Sequence, residues 1–334
     1  MDNKKITIDD VAKALNVSKT TVSRAISGKG RVGATTRERI LSYIEEHNYV
    51  PSAMAKGLAQ STTYNIGITM PEDFALVDLP FFQKCLTGVC EKASENDMDV
   101  LISTVGITDV SRLEKLVKNR KVDGVILTRT LTDDPAEELL SRSGLKFVTI
   151  GTGKRNGVVR VDNDHEAACE ELTSNLIKQG TKKFALMCGN SLHVVTKNRM
   201  KGFINAVEAA KIPNKDAVIF EDVLDKDMEA IVEKIVGSDT ECILCMDDAI
   251  CIKVIDSIKK RGLKIPKDIK VASFYNSTVL ERNTPSVTSL SFDATELGRV
   301  ACETLIKLIK EESVPTKTLL KYEVLMKEST RKTK

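Results

Sequence analysis

The stretch from Ile6 to Gly28, ITIDDVAKALNVSKTTVSRAISG, encodes two short amphipathic helices separated by a turn. Ile8, Val11, Ala12 and Leu15 recur at the i, i+3, i+4, i+7 spacing of a buried helical stripe, and Val22 and Ile26 repeat it in the second helix. Between them, Asn16-Val17-Ser18 supplies a turn residue, an apolar plug and an N-cap hydroxyl. The second helix then turns Lys19, Thr20, Ser23 and Arg24 outward. A helix anchored on its back, with hydroxyls and cations on its front, suits the DNA major groove. There Arg and Lys pair with guanine, and Ser or Thr adapts to either strand. The plainer alternative is a solvated helical hairpin.

Working outward, a third helix is predicted over Thr35 to His47, with a Thr35/Glu38 capping box and an apolar stripe of Ile40, Leu41 and Ile44 closing a small three-helix core. Gly28, Gly30 and Gly33 loosen the connection before it. Pro51 then breaks that helix, and Ser52 can cap a short one from Ala53 to Ala59, too short and too weakened by Gly57 to hold alone in water. It reads as a linker that folds only against something. Charge follows the same division. The first 61 residues carry ten Lys plus Arg against six Asp plus Glu, whereas the whole chain is only +3. The modest basic excess thus lies in the segment proposed to meet phosphate.

From Tyr64 onward the pattern becomes strand and helix in alternation. YNIGITM, DVLIST, VDGVILT and KFVTIG form one set; after about Val161, KKFALMCG, AVIF, ECILCMD and IKVASFY form a second. Continuous apolar strands separated by helices imply parallel sheets covered on both faces, here as two similar α/β lobes. A helix over Thr295 to Glu311 and a final strand from Leu319 to Met326 are expected to cross back between the lobes. Ligands in such folds bind beyond the carboxyl ends of the strands, in the cleft.

With 334 residues, 42% hydrophobic and 29% charged, the composition is that of a soluble globular protein of two or three domains. The eight cysteines form no disulfide framework. Cys242 and Cys245 have C-x-x-C spacing, but ECILCM reads as a buried strand on which i and i+3 side chains face opposite ways. No second Cys/His pair completes a zinc site. The N-terminus lacks an apolar signal region, and no run approaches the roughly 18 apolar residues of a membrane span. The expectation is a cytoplasmic protein without membrane contact. His47, His165 and His193 have neither metal-ligand spacing nor a nucleophile partner, and no phosphate loop or dinucleotide fingerprint occurs. No enzyme, cofactor or metal is expected.

The quoted stretch, together with HNYVPSAMAKGLA after the third helix and RMKGF near the middle, resembles the lac repressor (LacI/GalR) family of bacterial transcription regulators across essentially the whole chain. The resemblance implies a small all-α helix-turn-helix DNA-binding domain plus a two-lobed α/β periplasmic-binding-protein-like sensor domain with parallel sheets. The expected division is a head of residues 1–50, a hinge of 51–62 and an effector-binding domain of 63–334. Its first lobe would comprise 63–162 and 290–318, its second 163–289 and 319–334. By position, Lys19, Thr20 and Arg24 would read base edges, while Thr7, Ser18, Thr21 and Ser23 would hold phosphates. In the hinge, Ala55, Lys56 and Leu58 would meet the minor groove, with Leu58 as the apolar wedge between base steps and Met54 as packing.

In the sensor, the resemblance puts Arg199 where a guanidinium binds ligand. It also points to Phe82 at the cleft rim, with Phe81 as possible core, and to Asp248 of the Asp247-Asp248 pair as an acceptor of hydroxyl protons. Tyr275 and Asn276 join the candidate set, as does His193 in a loop near the cleft. Asp162 and Asn163 would serve at the crossover. Two positions depart from the family pattern. Tyr275 stands where an aspartate often binds ligand, and Val223 where an aromatic platform is common. The implied function is a homodimeric regulator of transcription, a repressor under allosteric control by a small-molecule effector. It would bind a near-palindromic double-stranded operator, with a sugar or sugar derivative as effector and a protein corepressor left open. A solute-binding protein of the same clamshell fold is the alternative.

Overall fold

The computed structural model of the protein describes residues 6–27, 30–47, 49, 62–72 and 80–331. The hinge expectations at Met54, Ala55, Lys56 and Leu58 fall outside them. Two compact units emerge, residues 1–63 and 64–334.

The head is a three-helix cluster. Helix α1 (Ile8–Ala14) starts at a reciprocal capping box: the Asp10 amide donates to the Thr7 hydroxyl, and the Asp10 carboxylate accepts from the Thr7 amide at 2.9 Å. Asn16 takes the left-handed turn conformation (φ 54°) that Asn tolerates well. Ser18 caps α2 (Lys19–Ser27), its hydroxyl accepting from the Thr21 amide at 3.0 Å. Val11, Val22 and Ile40 are fully buried at the centre. Helix α3 differs from expectation: it spans Ala34–Glu46, is capped at Gly33 without a side-chain bond, and takes Thr35 into its first turn. Its inward stripe is Ile40, Tyr43 and Ile44, while Leu41 is 46% exposed. Tyr43 packs against that core, and the exposed His47 ring stacks on it at 3.9 Å, an i, i+4 pairing that hydropathy alone does not signal.

In the second unit each lobe is built on a six-stranded sheet. The first runs β11-β5-β4-β3-β1-β2, all parallel: β1 (Asn65–Pro71), β2 (Asp99–Val105), β3 (Gly124–Leu127), β4 (Lys146–Ile150), β5 (Val159–Asn163) and β11 (Lys317–Leu320). The second runs β12-β10-β9-β8-β6-β7: β6 (Phe184–Met187), β7 (Ala217–Phe220), β8 (Cys242–Cys245), β9 (Lys270–Ser273), β10 (Thr288–Phe292) and an antiparallel edge, β12 (Tyr322–Leu325). Every residue of β3, β6 and β8 is buried, as strands covered on both faces require. Helices α4 (Pro80–Ser94) and α12 (Ala294–Ile309) cover one face of the first sheet, with α5 (Ser111–Lys118) and α6 (Pro135–Ser143) on the other. Around the second sheet lie α7 (His165–Lys178), α8 (Val194–Ala209), α9 (Met228–Val236), α10 (Asp248–Lys260) and the short α11 (Thr278–Arg282).

The chain passes between the lobes three times, and each crossover lies elsewhere than expected: β5 runs through Asn163, so the first lobe reaches 163 rather than 162. Strand β10 belongs wholly to the second sheet, so the first lobe resumes at 293 rather than 290. The expected single strand from Leu319 to Met326 is two strands in different sheets, parting at Lys321, so residues 319–320 belong to the first lobe. Both halves are extended and similarly patterned, and the change of sheet leaves no mark in the residues. The last helix runs Ala294–Ile309, capped by Asp293, rather than Thr295 to Glu311. Cys242 and Cys245 are buried free thiols, and burial pushes the Cys242 thiol up to about 12. No helix among the described residues is long and apolar enough to cross a membrane.

Candidate functional site

On the head, burial of Val22 and Ala25 leaves Lys19, Thr20, Ser23 and Arg24 together on the solvent side of α2. Lys19 Nζ meets the Asp9 carboxylate at 2.6 Å, with both groups well exposed. Such a surface pair is worth under about 1 kcal/mol and yields readily to a competing partner. The first turn of α2 carries no acidic residue, which leaves its free N–H groups and positive dipole end open to anions. The Ser18 and Thr21 hydroxyls bond each other at 2.8 Å, and Thr7 is held in its capping box. Three of the four residues expected at phosphates therefore also fix the helix starts.

Between the lobes, the carboxyl ends of the strands enclose a cavity of about 180 Å³. The first lobe contributes Phe81 and Phe82 from the start of α4, Thr128 to Thr130 after β3, Ile150 to Thr152 after β4, and Asp162 from β5. The second contributes His165, His193, Val195, Arg199, Asp247, Asp248, Ala249 and Tyr275. Five of the six expected effector residues, Phe82, His193, Arg199, Asp248 and Tyr275, thus meet at one place. Asn276 does not. Its amide donates to Glu281 at 2.7 Å and its carbonyl accepts from the Ser289 hydroxyl at 3.0 Å, bracing the loop before α11. Asn163 is buried away from the cavity, since neighbouring strand residues point oppositely and Asp162 takes the inward place.

Arg199 is 8% exposed and held in place. One terminal nitrogen donates to the Met246 carbonyl at 2.7 Å, and Nε points at His165 Nδ1 at 3.5 Å. His165 Nε2 in turn faces Asp162 at 3.4 Å. A neutral ring fits both neighbours, accepting at Nδ1 and donating from Nε2. Burial, and then the Arg199 charge, push the His165 pKa below its usual 6.5, outweighing the pull of Asp162. Burial pushes the Asp247 carboxyl up, although it accepts from the Ile250 amide at 2.9 Å as the cap of α10. The floor is aromatic. Tyr275, 5% exposed, lies edge-on to Phe81 at 6.1 Å and stacks near-parallel on Phe292 at 6.5 Å. Phe81 is both core and cavity wall, packed against each lobe's core. Val223 lies fully buried in the second lobe's core, so any ring at that position would be core as well.

The depressed His165 pKa makes a pH prediction. A group whose folded pKa lies below its unfolded value contributes stability that is present above the unfolded pKa, near 6.5, and lost as pH falls through the folded one. Thermal or urea unfolding between pH 7.5 and 5.5 should show that loss, with a limiting slope of about 1.4 kcal/mol per pH unit for one proton. In His165→Asn the slope should be shallower; an unchanged slope refutes the assignment.

The RMKGF motif acquires a physical reading. Arg199 enters the cavity, Phe203 fills the second core, and Gly202 lets α8 cross α7 at backbone distance, a Cβ there lying 2.2 Å from the Glu166 carbonyl oxygen. His165, Arg129, Thr130 and Thr152 were missed by motif reading. Each lies at or just past a strand's carboxyl end, and that rule alone would have found them.

Residues 7–52 match the model of the bacterial regulatory proteins, lacI family, and residues 173–330 that of the periplasmic binding protein-like domain. The chain is 30% identical over 314 residues to the HTH-type transcriptional regulator MalR of Streptococcus pneumoniae serotype 4, covering 92% of this chain and 93% of the relative. It is 27% identical over 314 residues to catabolite control protein A of Staphylococcus xylosus, covering 92% and 94%. Among solved structures, a lac repressor dimer bound to operator and the anti-inducer ONPF superposes with a TM-score of 0.82 at 21% identity, covering 98% of this chain and 99% of that one. A complex of the transcriptional regulator CelR with cellobiose superposes with a TM-score of 0.71 at 25% identity, covering 97% and 99%. A helix-turn-helix head joined to a two-lobed binding domain defines a DNA-binding transcriptional regulator, not an enzyme. The chain belongs to the lacI family of bacterial regulatory proteins.

Proposed function

We propose that the protein is a homodimeric repressor that reads a near-palindromic operator and whose grip is set by a sugar-like effector held in the inter-lobe cavity. The cavity carries the effector reading. A fixed guanidinium, three carboxyl groups and aromatic faces converge at strand ends, a set suited to sugar hydroxyls above and sugar ring faces below. CelR, a relative of the same architecture, has been seen with cellobiose. Exposed Lys19, Thr20 and Arg24 serve base edges, and a two-fold pair of heads sets half-sites about one helical turn apart. Effector binding changes the spacing of the paired hinges only through its unequal affinity for the two lobe arrangements.

Selection from a random duplex library by the full chain should enrich a near-palindrome; no enrichment at low salt sinks the DNA reading. Leu58→Ala should then bind the selected duplex at least tenfold more weakly, from roughly 1.5–3 kcal/mol of lost apolar burial per subunit. Its stabilisation by effector should be unchanged. Equal operator affinity removes Leu58 as a wedge.

A further inference from the structure

Away from the three crossovers, the lobes are also joined by backbone. Leu131, in the loop after β3, and His193, in the loop after β6, form an isolated antiparallel bridge. The Thr132 amide donates to the Leu192 carbonyl at 2.9 Å, and the Val194 amide to the Thr130 carbonyl at 3.1 Å. The Thr132 hydroxyl adds a contact to the same Leu192 carbonyl at 3.2 Å, and Asn198 Nδ2 reaches Thr152 Oγ1 at 2.5 Å. Each of these bonds runs from one lobe to the other.

The bridge also has two sides. Thr130 and His193 line the inner cavity, while Thr130 to Thr132 and Leu192 line an open basin of about 730 Å³ bordered by Asp133, Glu138 and Lys154. The two linings share one residue, Thr130, and come next to each other again at Thr152 and Gly153, so the bridge stands between the basin and the inner cavity. We propose that the 130–132/192–194 bridge is a latch. It holds the lobes in this arrangement and walls the cavity from the basin, so that ligand enters and leaves when it opens. Calling that ligand the effector rests on the function proposed above; the latch itself does not.

The chemistry suits a latch. Intramolecular hydrogen bonds near solvent each favour the joined state only roughly two- to tenfold, because the freed groups find water. Two backbone rungs and a pair of side-chain contacts therefore close the wall without sealing it. The rungs share one short segment on each side, so breaking one loosens the other.

Val194 is the first residue of α8, where proline is tolerated because its amide has no partner within the helix. His193 before it has φ −79° and ψ 129°, the extended conformation that proline demands of its predecessor. Val194→Pro thus deletes one rung and spares the helix. Two readouts apply. Amide exchange at Thr132 should quicken two- to tenfold in Val194→Pro, while amides of β3 and β6 keep the parent's rates. With exposed Cys90 replaced by Ser, a cavity thiol introduced as Ala249→Cys should react with a small methanethiosulfonate reagent faster by a similar factor. Asn198→Ala, which cuts the side-chain contact and leaves the backbone intact, should move both readouts the same way by a smaller factor. If Thr132 exchanges no faster and the thiol reacts no faster in Val194→Pro with an unchanged unfolding midpoint, the latch is overturned. Whether any metabolite stabilises the parent protein is a separate result, bearing on the effector reading alone.

Discussion

Arg199→Ala should abolish the response to effector while leaving operator affinity within about twofold of the parent. The guanidinium is the more deeply buried of two that line the cavity, the other being Arg129, and it is anchored by Met246 and His165. Charge-assisted hydrogen bonds contribute roughly 1.5–3 kcal/mol each, so losing one to a ligand lowers affinity about ten- to 150-fold. The protein should also lose about 2 kcal/mol of stability, because the Met246 carbonyl goes unpaired and half-buried Asp247 loses the cation that opposes its raised pKa. Arg199→Lys keeps a charge without the planar fork and should restore stability better than response. Unfolding midpoints with and without the stabilising metabolite read both effects. A full response in the alanine variant would remove Arg199 from the site.

Gly202→Ala should be the costliest methyl group in the second lobe. Its Cβ would lie 2.2 Å from the Glu166 carbonyl oxygen, 2.9 Å from Cys169 Cβ and 3.0 Å from the Glu170 amide. Two of these neighbours are backbone, so no rotamer change relieves the clash and the helices must part. Parting them opens the packing of Cys169 and Phe203, both fully buried. Overpacking a core costs 1–3 kcal/mol when side chains yield; here the cost should be about 3 kcal/mol or more. The same device joins α4 and α12, where Cβ atoms on Gly88 and Gly298 would fall 1.9 Å and 2.1 Å from facing carbonyl oxygens. Urea denaturation gives the test: a midpoint equal to the parent's would show that the crossing has room.

Much of this was legible in the residues, for identifiable reasons. Local rules with one physical cause carried over. Ser18 caps its helix, Asn16 takes the left-handed turn, and ECILCM is a strand buried on both faces. Tertiary choices were not written locally. Thr35 and Glu38 spell a capping box, yet the helix begins one residue earlier and Gly33 takes the cap. Residues 319–326 read as one extended, mostly apolar run, although the chain changes sheets at Lys321. Asn276 neighbours a cavity residue in sequence but is drawn off by Glu281 and Ser289. His165 escaped notice because a lone histidine has no spacing to read; its role depends on Asp162 and Arg199, which only the fold brings to it.

The decisive titration is of the selected operator with the full chain, in the presence and absence of whichever sugar, polyol, nucleoside or phosphate derivative most raises its unfolding temperature. The metabolite should change operator affinity about five- to 150-fold, the span of a 1–3 kcal/mol coupling, and Arg199→Ala should erase the change. Operator affinity that stays the same with every metabolite that binds the sensor would contradict this coupling.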